Sequence, residues 1–532
     1  MTRPLRLALV PLDERHWVSD APVKIGRIAG CEVLVPPRHM LGDKKELGKF
    51  EELGPWLRAV ASEVDGLVVA VETLAYGGLI ASRTTDHPLE ECWSRVQVLK
   101  EIREDHPGLP IYAFTLVMRI PAYDNDEQEP WYWAHYGARI HRYSQLLDKV
   151  ARHGREEDKA DLEQLKKEVP PEVLENWHWR RNRNHELSKR VLDYVADGTV
   201  DFLLITQDDS AEYGVSSMEQ KALRARISEL GIEERALLYP GADEVAMVLV
   251  ARHVNRHLGI VPKVYPRYSS TKGPFLVPRY EDRPLAESVK GQIYAVGGRL
   301  VETPQEADWI LFLNTPGEAQ EEAPRQDVAT MVDTPGRNLL DFTEAILHYT
   351  EQGKPAAVAD VAYSNGADRQ FVKLLLRRVG LKRIMAYAAW NTAGNTLGTV
   401  VAHASVYHAV GRHAERQRKL EAARAHLEFL LERFIEDWGY QAVVRTHMGG
   451  TVLPALGIPY MNLGDRWKEV EGIAAEQIQK FTREHFSDMK ELELHWYGEP
   501  LGIVPTGLRL ENIRQPWRRM FNLAFDVKLD FE

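Results

Sequence analysis

The sequence predicts an α/β protein, with mainly parallel sheets in two Rossmann-like lobes and a helix-rich C-terminal region. Three observations lead there. Short apolar runs alternate with longer amphipathic segments from the start to about residue 400. The runs are apolar throughout rather than alternating, as strands of a parallel sheet covered on both faces are. The length, 532 residues of which 44% are hydrophobic and 27% charged, suffices for more than one α/β core.

The first six strand candidates are "LRLALVPLD" (5–13), "CEVLVPP" (31–37), "GLVVAVE" (66–72), "PIYAFTLVMR" (110–119), "DFLLITQDD" (201–209) and "ALLYPGADE" (236–244). Helical segments separate them, among them "SMEQKALRARISELG" and "DEVAMVLVARHVNRHLG". Near Pro262 the texture turns rich in Pro, Ser and Gly, which reads as a crossover. A second series follows: "KVYPRYS", "GGRLVE", "DWILFLNTP", "PAAVADVAYSNGAD" and "RIMAYAAWNTAGNT". These are more strands than an eight-stranded barrel needs, although a (β/α)8 barrel with insertions is the alternative. The expected division is residues 1–258, with a charged helical insertion at 145–198; residues 259–404; and a region 405–532 that opens on a long amphipathic helix.

Composition excludes several classes. A net charge of −11, spread along the chain, does not make the basic face that nucleic acid requires. Two cysteines, Cys31 and Cys92, build neither a disulfide framework nor a thiolate metal site. No run approaches the roughly 20 apolar residues of a membrane span, and the brief apolar start before Asp13 reads as a first strand rather than a signal peptide. The expectation is a cytoplasmic protein whose partner is a small molecule; the sequence does not fix its oligomeric state.

Ligands in parallel sheets and barrels bind beyond the carboxyl ends of the strands. At those ends stand Asp13 and Arg15, then Glu72, then Arg119, then Asp208 and Asp209, then Asp243 and Glu244. The second series adds Asn314, Asp360 with Asn365, and Trp390 with Asn391 and Asn395. Each has an ordinary alternative, since a carboxylate before a helix is often an N-cap, as Asp243 and Glu244 would be. Together they favour carboxylates, carboxamides and arginines, whose fork-like donors and acceptors suit sugar hydroxyls. In "AWNTAGNTLG" (389–398), Trp390 offers an aromatic plate and Asn391 and Asn395 two carboxamides; a tightly packed helix start is the alternative. The segment 118–144, with Arg119, an acidic loop and the aromatics Trp131, Tyr132, Trp133, Tyr136 and Tyr143, reads as a lid or subsite wall. A nucleophile elbow, a zinc-binding H-E-x-x-H and a dinucleotide fingerprint are all missing.

The runs "PLDERHW", "ETLAYGGLIASR", "DDSAEYG", "YPGADEVA", "DVAYSNGAD" and "AAWNTAGNTLG" resemble the bacterial family called domain of unknown function 4127. Weaker echoes continue in "GYQAVVR" and "QPWRRMF". The resemblance implies a family and carries no activity or catalytic residue.

The residues themselves point first to an enzyme, a glycoside hydrolase. Glycosidic cleavage needs an acid and a second carboxylate. Adjacent acids suit a substrate-assisted course on N-acetylated amino sugars, with Asp208 and Asp209 as the pair. Glu72 and Asp243 are the reserve candidates for a conventional pair, and Asp13, Arg15, Arg119, Glu244, Asp360, Asn365, Trp390, Asn391 and Asn395 would bind the carbohydrate. This reading needs no cofactor. The alternative is a Mg²⁺- or Mn²⁺-dependent sugar isomerase, aldolase or hydrolase using the same acids as oxygen ligands. A non-catalytic sugar-binding protein is the third.

Overall fold

A computed structural model describes residues 3–531. It has the expected α/β class. The first sheet contains β1 (Leu5–Val10), β2 (Cys31–Leu34), β3 (Leu67–Ala70), β4 (Ile111–Val117), β5 (Phe202–Gln207) and β6 (Ala236–Pro240), in the order β2-β1-β3-β4-β5-β6. The second contains β7 (Lys263–Tyr268), β8 (Arg299–Leu300) and β9 (Trp309–Asn314). The short strands β10 (Glu321–Glu322) and β12 (Tyr363–Ser364) pair with each other, while β11 (Ala356–Asp360) and β13 (Ile384–Ala388) complete the second sheet as β13-β11-β9-β7-β8. Every pairing recorded between strands of these sheets is parallel. No closed barrel is found among the described residues. Each sheet is doubly wound: its second strand lies on one side of the first, and the later strands lie on the other.

The strands are buried because both faces carry helices. Val69, Ile111 and Leu203 are fully enclosed in one core with Leu57, Ile102 and Val191 of the covering helices. Pairing of β4 with β5 runs in register from Tyr112 opposite Phe202 to Val117 opposite Gln207, so the residues leaving the two carboxyl ends emerge together. Between these strands come the helices Trp133–His153, Glu156–Lys166 and Pro171–Ala196, which bury a core of their own around Trp133, Ile140, Leu162 and Trp177.

By contacts the chain forms two compact units. One comprises Met1–Ser19, Glu32–Ala246 and Tyr280–Asp282; the other comprises Asp20–Cys31, Met247–Arg279 and Arg283–Glu532. Residues 405–532 thus group with the second sheet. The long helix expected from 413 is α-helical over Arg416–Arg433 and continues as a π-helix over Phe434–Val444. It is not amphipathic but buried nearly all round. Its charges are matched from within and from outside: Arg433 contacts Glu432, Glu436 and Asp437, while Lys24 pairs with Glu432 and Arg27 with Glu428. Two antiparallel hairpins end the chain, β14 (His495–Trp496) with β15 (Glu499–Pro500) and β16 (Gly507–Arg514) with β17 (Ala524–Asp530). Among the described residues no helix is long and apolar enough to cross a membrane.

Candidate functional site

In the first unit the winding reverses between β1 and β3, and an open α/β sheet leaves its ligand crevice at such a point. The short helix Val71–Tyr76 after β3 ends in Gly77 and Gly78, whose φ values of 99° and 140° suit glycine alone. The Leu79 N–H then donates to the Leu12 carbonyl at 3.1 Å, tying this turn to the end of β1. The helix that starts there, Leu79–Thr84, carries Arg83.

Two clusters of charge occupy the carboxyl ends. In one, the buried Arg15 guanidinium donates through Nε and Nη2 to Asp13 at 2.9 and 2.7 Å. It also donates through Nη2 and Nη1 to Asp243 at 2.6 and 3.1 Å. Burial pushes the Asp243 carboxyl up, with Arg15 opposing it. In the other cluster, Arg83 donates to Asp208 and, at 3.1 Å, to Glu129. Arg119 donates to Glu129 at 2.9 Å and to Asp209 at 3.3 Å. The clusters sense each other, since the charge of Arg15 reaches Asp208 and that of Asp208 reaches Asp243.

Asp208 and Asp209 are chemically alike and sit in unlike places. The Asp208 side chain is 13% exposed and that of Asp209 37%. One Asp208 oxygen accepts from Arg83 and the other from the Asp209 backbone N–H at 3.0 Å. Burial pushes Asp208 up, but the guanidiniums of Arg83 and Arg119 outweigh it and hold the carboxyl below its usual range. Burial and the charge of Asp208 push Asp209 the other way, up to about 6. Their loop is anchored at both ends. The Ser210 N–H donates to the Tyr280 carbonyl at 2.8 Å, and the Gly214 N–H to Asp148 Oδ2 at 3.0 Å.

The segment 118–144, expected as a lid or subsite wall, divides between loop contacts and core residues. Arg119 reaches Gln128 Oε1 at 3.3 Å and the Tyr123 hydroxyl at 3.4 Å, and Lys44 holds Glu127 at 3.1 Å. Tyr123 and Trp131 are exposed, whereas Tyr132, Trp133 and Tyr143 are core residues. Glu72 is turned elsewhere: its Oε1 accepts from the Thr115 hydroxyl and the Leu116 N–H, each at 2.8 Å. Burial raises it to about 7. Glu244 is buried, and its Oε2 accepts from the Ala242 N–H at 2.9 Å, a bond of the local turn.

The second unit holds the remaining expected residues. Asp360 Oδ1 accepts from Asn314 Nδ2 at 2.8 Å, and Asp360 Oδ2 from the Asp368 N–H at 2.8 Å. Arg337 donates to Asn314 at 2.8 Å and also to Asp368, which caps the helix Arg369–Arg378. Burial and the charge of Asp368 push Asp360 up to about 7. This network is enclosed, with the Arg337 guanidinium facing the buried Asp360 and Asp368 and reaching the exposed Asp333. Asn365 and Asn391 hold left-handed turns, at φ 59° and 54°, joined by an Asn365 N–H bond to the Asn391 carbonyl at 2.8 Å. The Asn395 side chain donates to Thr392, the N-cap of helix Ala393–Val410. Trp390 corrects the expectation of an open aromatic plate. It is 1% exposed, and its indole N–H donates to Thr399 at 3.0 Å, because the ring packs on the helix that follows it.

Sequence reasoning missed Arg83, Glu129, Arg337 and Asp368. Arg83 ends the conspicuous run "ETLAYGGLIASR", Glu129 sits in the acidic loop, and Asp368 stands at a helix start; nothing local marks Arg337.

The first unit is therefore a doubly wound α/β unit with arginine-clamped carboxylates beyond the carboxyl ends of its strands. The chain belongs to the family described as protein of unknown function DUF4127, whose model matches residues 7–526. No curated protein matches it in sequence.

Proposed function

We propose that the carboxyl edge of the first sheet is the active site of a glycoside hydrolase in which Asp209 supplies the acid. The observation that supports this reading is the inequality of the pair. Asp208 is clamped and ionised, while Asp209 is more open, makes one long contact to Arg119, and keeps its proton to higher pH. A like charge beside a carboxyl is how one of two acids is kept protonated near neutrality.

The substrate of this reading is an N-acetylated amino sugar. The acetamide oxygen of the substrate bonds to the anomeric carbon, the glycosidic C–O bond breaks, and the leaving oxygen takes the Asp209 proton. Asp208 balances the positive charge that develops on the acetamide. Water then opens the ring so formed, returning a proton to Asp209. Tyr123, exposed and within reach of Arg119, supplies an apolar face beside the pair.

A panel of 4-nitrophenyl glycosides, N-acetylated and plain, tests this. The expected result is cleavage of N-acetylated substrates, with Asp209→Asn slowing turnover by roughly 10²–10⁴-fold. If no glycoside is cleaved and Asp209→Asn leaves sugar affinity intact, the hydrolase reading falls and a binding role takes its place.

A second reading has one observation in its favour. Five carboxylates, Asp13, Glu129, Asp208, Asp209 and Asp243, face three arginines, and a Mg²⁺ or Mn²⁺ ion would balance the surplus. Against it, among the described residues no three acids of this edge bring oxygens within 4.8 Å of one another. Loss of activity in EDTA, restored by Mg²⁺ or Mn²⁺, would favour the ion.

A further inference from the structure

Glu129 lies in an acidic loop, yet it is 3% exposed and both its ion-pair partners are arginines. Its Oε1 accepts from Arg83 Nη1 at 3.1 Å and from Arg119 Nε at 2.9 Å. Arg83 continues to Asp208 and Arg119 to Asp209. Because Asp208 and Asp209 are neighbours in the chain, the contacts close a ring: Asp208, Arg83, Glu129, Arg119, Asp209. Glu129 is the member of that ring which joins the two arginines.

We propose that Glu129 is a positioning residue of the Asp208–Asp209 pair, locking the two guanidiniums that hold the pair, so that the loop between β4 and helix Trp133–His153 sets how the pair shares its proton. The inference rests on the reading of Asp209 as the acid of the site. The physics is that of a shared counterion. A buried carboxylate between two guanidiniums cancels part of their field, and it fixes their forks so that one contact goes to each aspartate. The charges facing Asp209 are Asp208, Arg119 and Arg83, and Asp208 also senses Arg15. On the loop itself Glu127 is matched by Lys44, and Asp126 lies 4.0 Å from Lys45. Neutralising Glu129 leaves both arginines more positive towards the pair, which favours the ionised form of Asp209. Its protonation midpoint must therefore fall.

The test is an infrared pH titration of the protonated-carboxyl band in the intact chain, with Asp209→Asn identifying the Asp209 component. Glu129→Gln is expected to lower that midpoint by about one pH unit. Coupling through the clamp predicts that the shift shrinks to half or less in an Arg119→Gln background. An unchanged midpoint in folded Glu129→Gln overturns the proposal, as does an equal shift with and without Arg119. Should Glu129→Gln not fold, Glu129→Asp, which keeps the charge and shortens the reach, is expected to give an intermediate shift, and no shift overturns it. A titration showing no Asp209 component at about pH 5 sinks the inference as well. These readouts require no substrate. Failure to cleave glycosides would defeat the hydrolase reading alone, and a static midpoint would defeat this one alone.

Discussion

At the scale of single residues, the structure makes like groups unlike. A general acid must be protonated to act, so kcat/KM for glycoside cleavage is expected to fall as pH rises through about 6, where Asp209 ionises. A profile flat from pH 5 to 8 would remove Asp209 from that role. Glu72 carries a stability term of definite sign. Burial pushes its carboxyl up to about 7 in the folded chain, from an ordinary value of 4.5. The folded state therefore binds the extra proton between those values. This contribution is full below about 4.5 and is lost as pH rises through about 7, on the order of 3 kcal/mol. Asp360, raised to about 7, acts with the same sign. Glu72→Gln is expected to flatten the decline of the unfolding midpoint between pH 5 and 8, which a thermal melt series reads directly.

At the scale of elements, two devices hold the site. The Gly77–Gly78 turn runs on a backbone that L side chains rarely adopt, and a Cβ at Gly77 would also lie 3.1 Å from the Phe50 ring, tighter than an ordinary contact. Gly77→Ala is expected to cost about 1–3 kcal/mol in chemical denaturation. The second device is Asp148, 1% exposed, which takes Arg152 at 2.6 and 2.5 Å and the Gly214 N–H at 3.0 Å. Asp148→Ala leaves a guanidinium and an amide without that partner. A loss of about 2–4 kcal/mol should follow, with faster amide exchange across 208–215. These elements differ in how well they can be read from sequence. Strands such as "GLVVAVE" and "DWILFLNTP" declare themselves because a parallel strand buried on both faces is apolar at every position. The helix after Arg416 misled, since its charges are matched by Arg433 within it and by the distant Lys24 and Arg27, and local periodicity cannot show that.

At the scale of the whole molecule, most acids of the site and two of its arginines, Arg15 and Arg119, were legible, while Arg83, Glu129 and the pairing among them were not. Asp13, Asp208, Asp209 and Asp243 stand within three residues of strand ends, so reading each strand to its end and just beyond finds them. Arg83 meets Asp208 across 125 residues and Arg15 meets Asp243 across 228, distances over which sequence order carries no pairing information. Trp390 shows the opposite failure: an aromatic in a glycine-rich turn is compatible with an open plate and with burial, and packing chose burial. The first unit is also discontinuous, since Tyr280–Asp282 belongs to it. Residues 1–258 expressed alone lack the Tyr280 carbonyl that takes Ser210 and the Asp282 carboxylate that takes Gln207 at 2.9 Å and Gln220 at 2.5 Å. Limited proteolysis is expected to cut that fragment within 208–214 faster than the intact chain. Equal rates would show that the anchor is dispensable. The same discontinuity imposes an order of events on synthesis. A ribosome delivers Ser210 70 residues before the segment that secures it, roughly 4–14 s at ordinary elongation rates. For that interval the nascent chain carries two adjacent, half-anchored acids, so the 208–214 loop is among the last parts of its unit to mature.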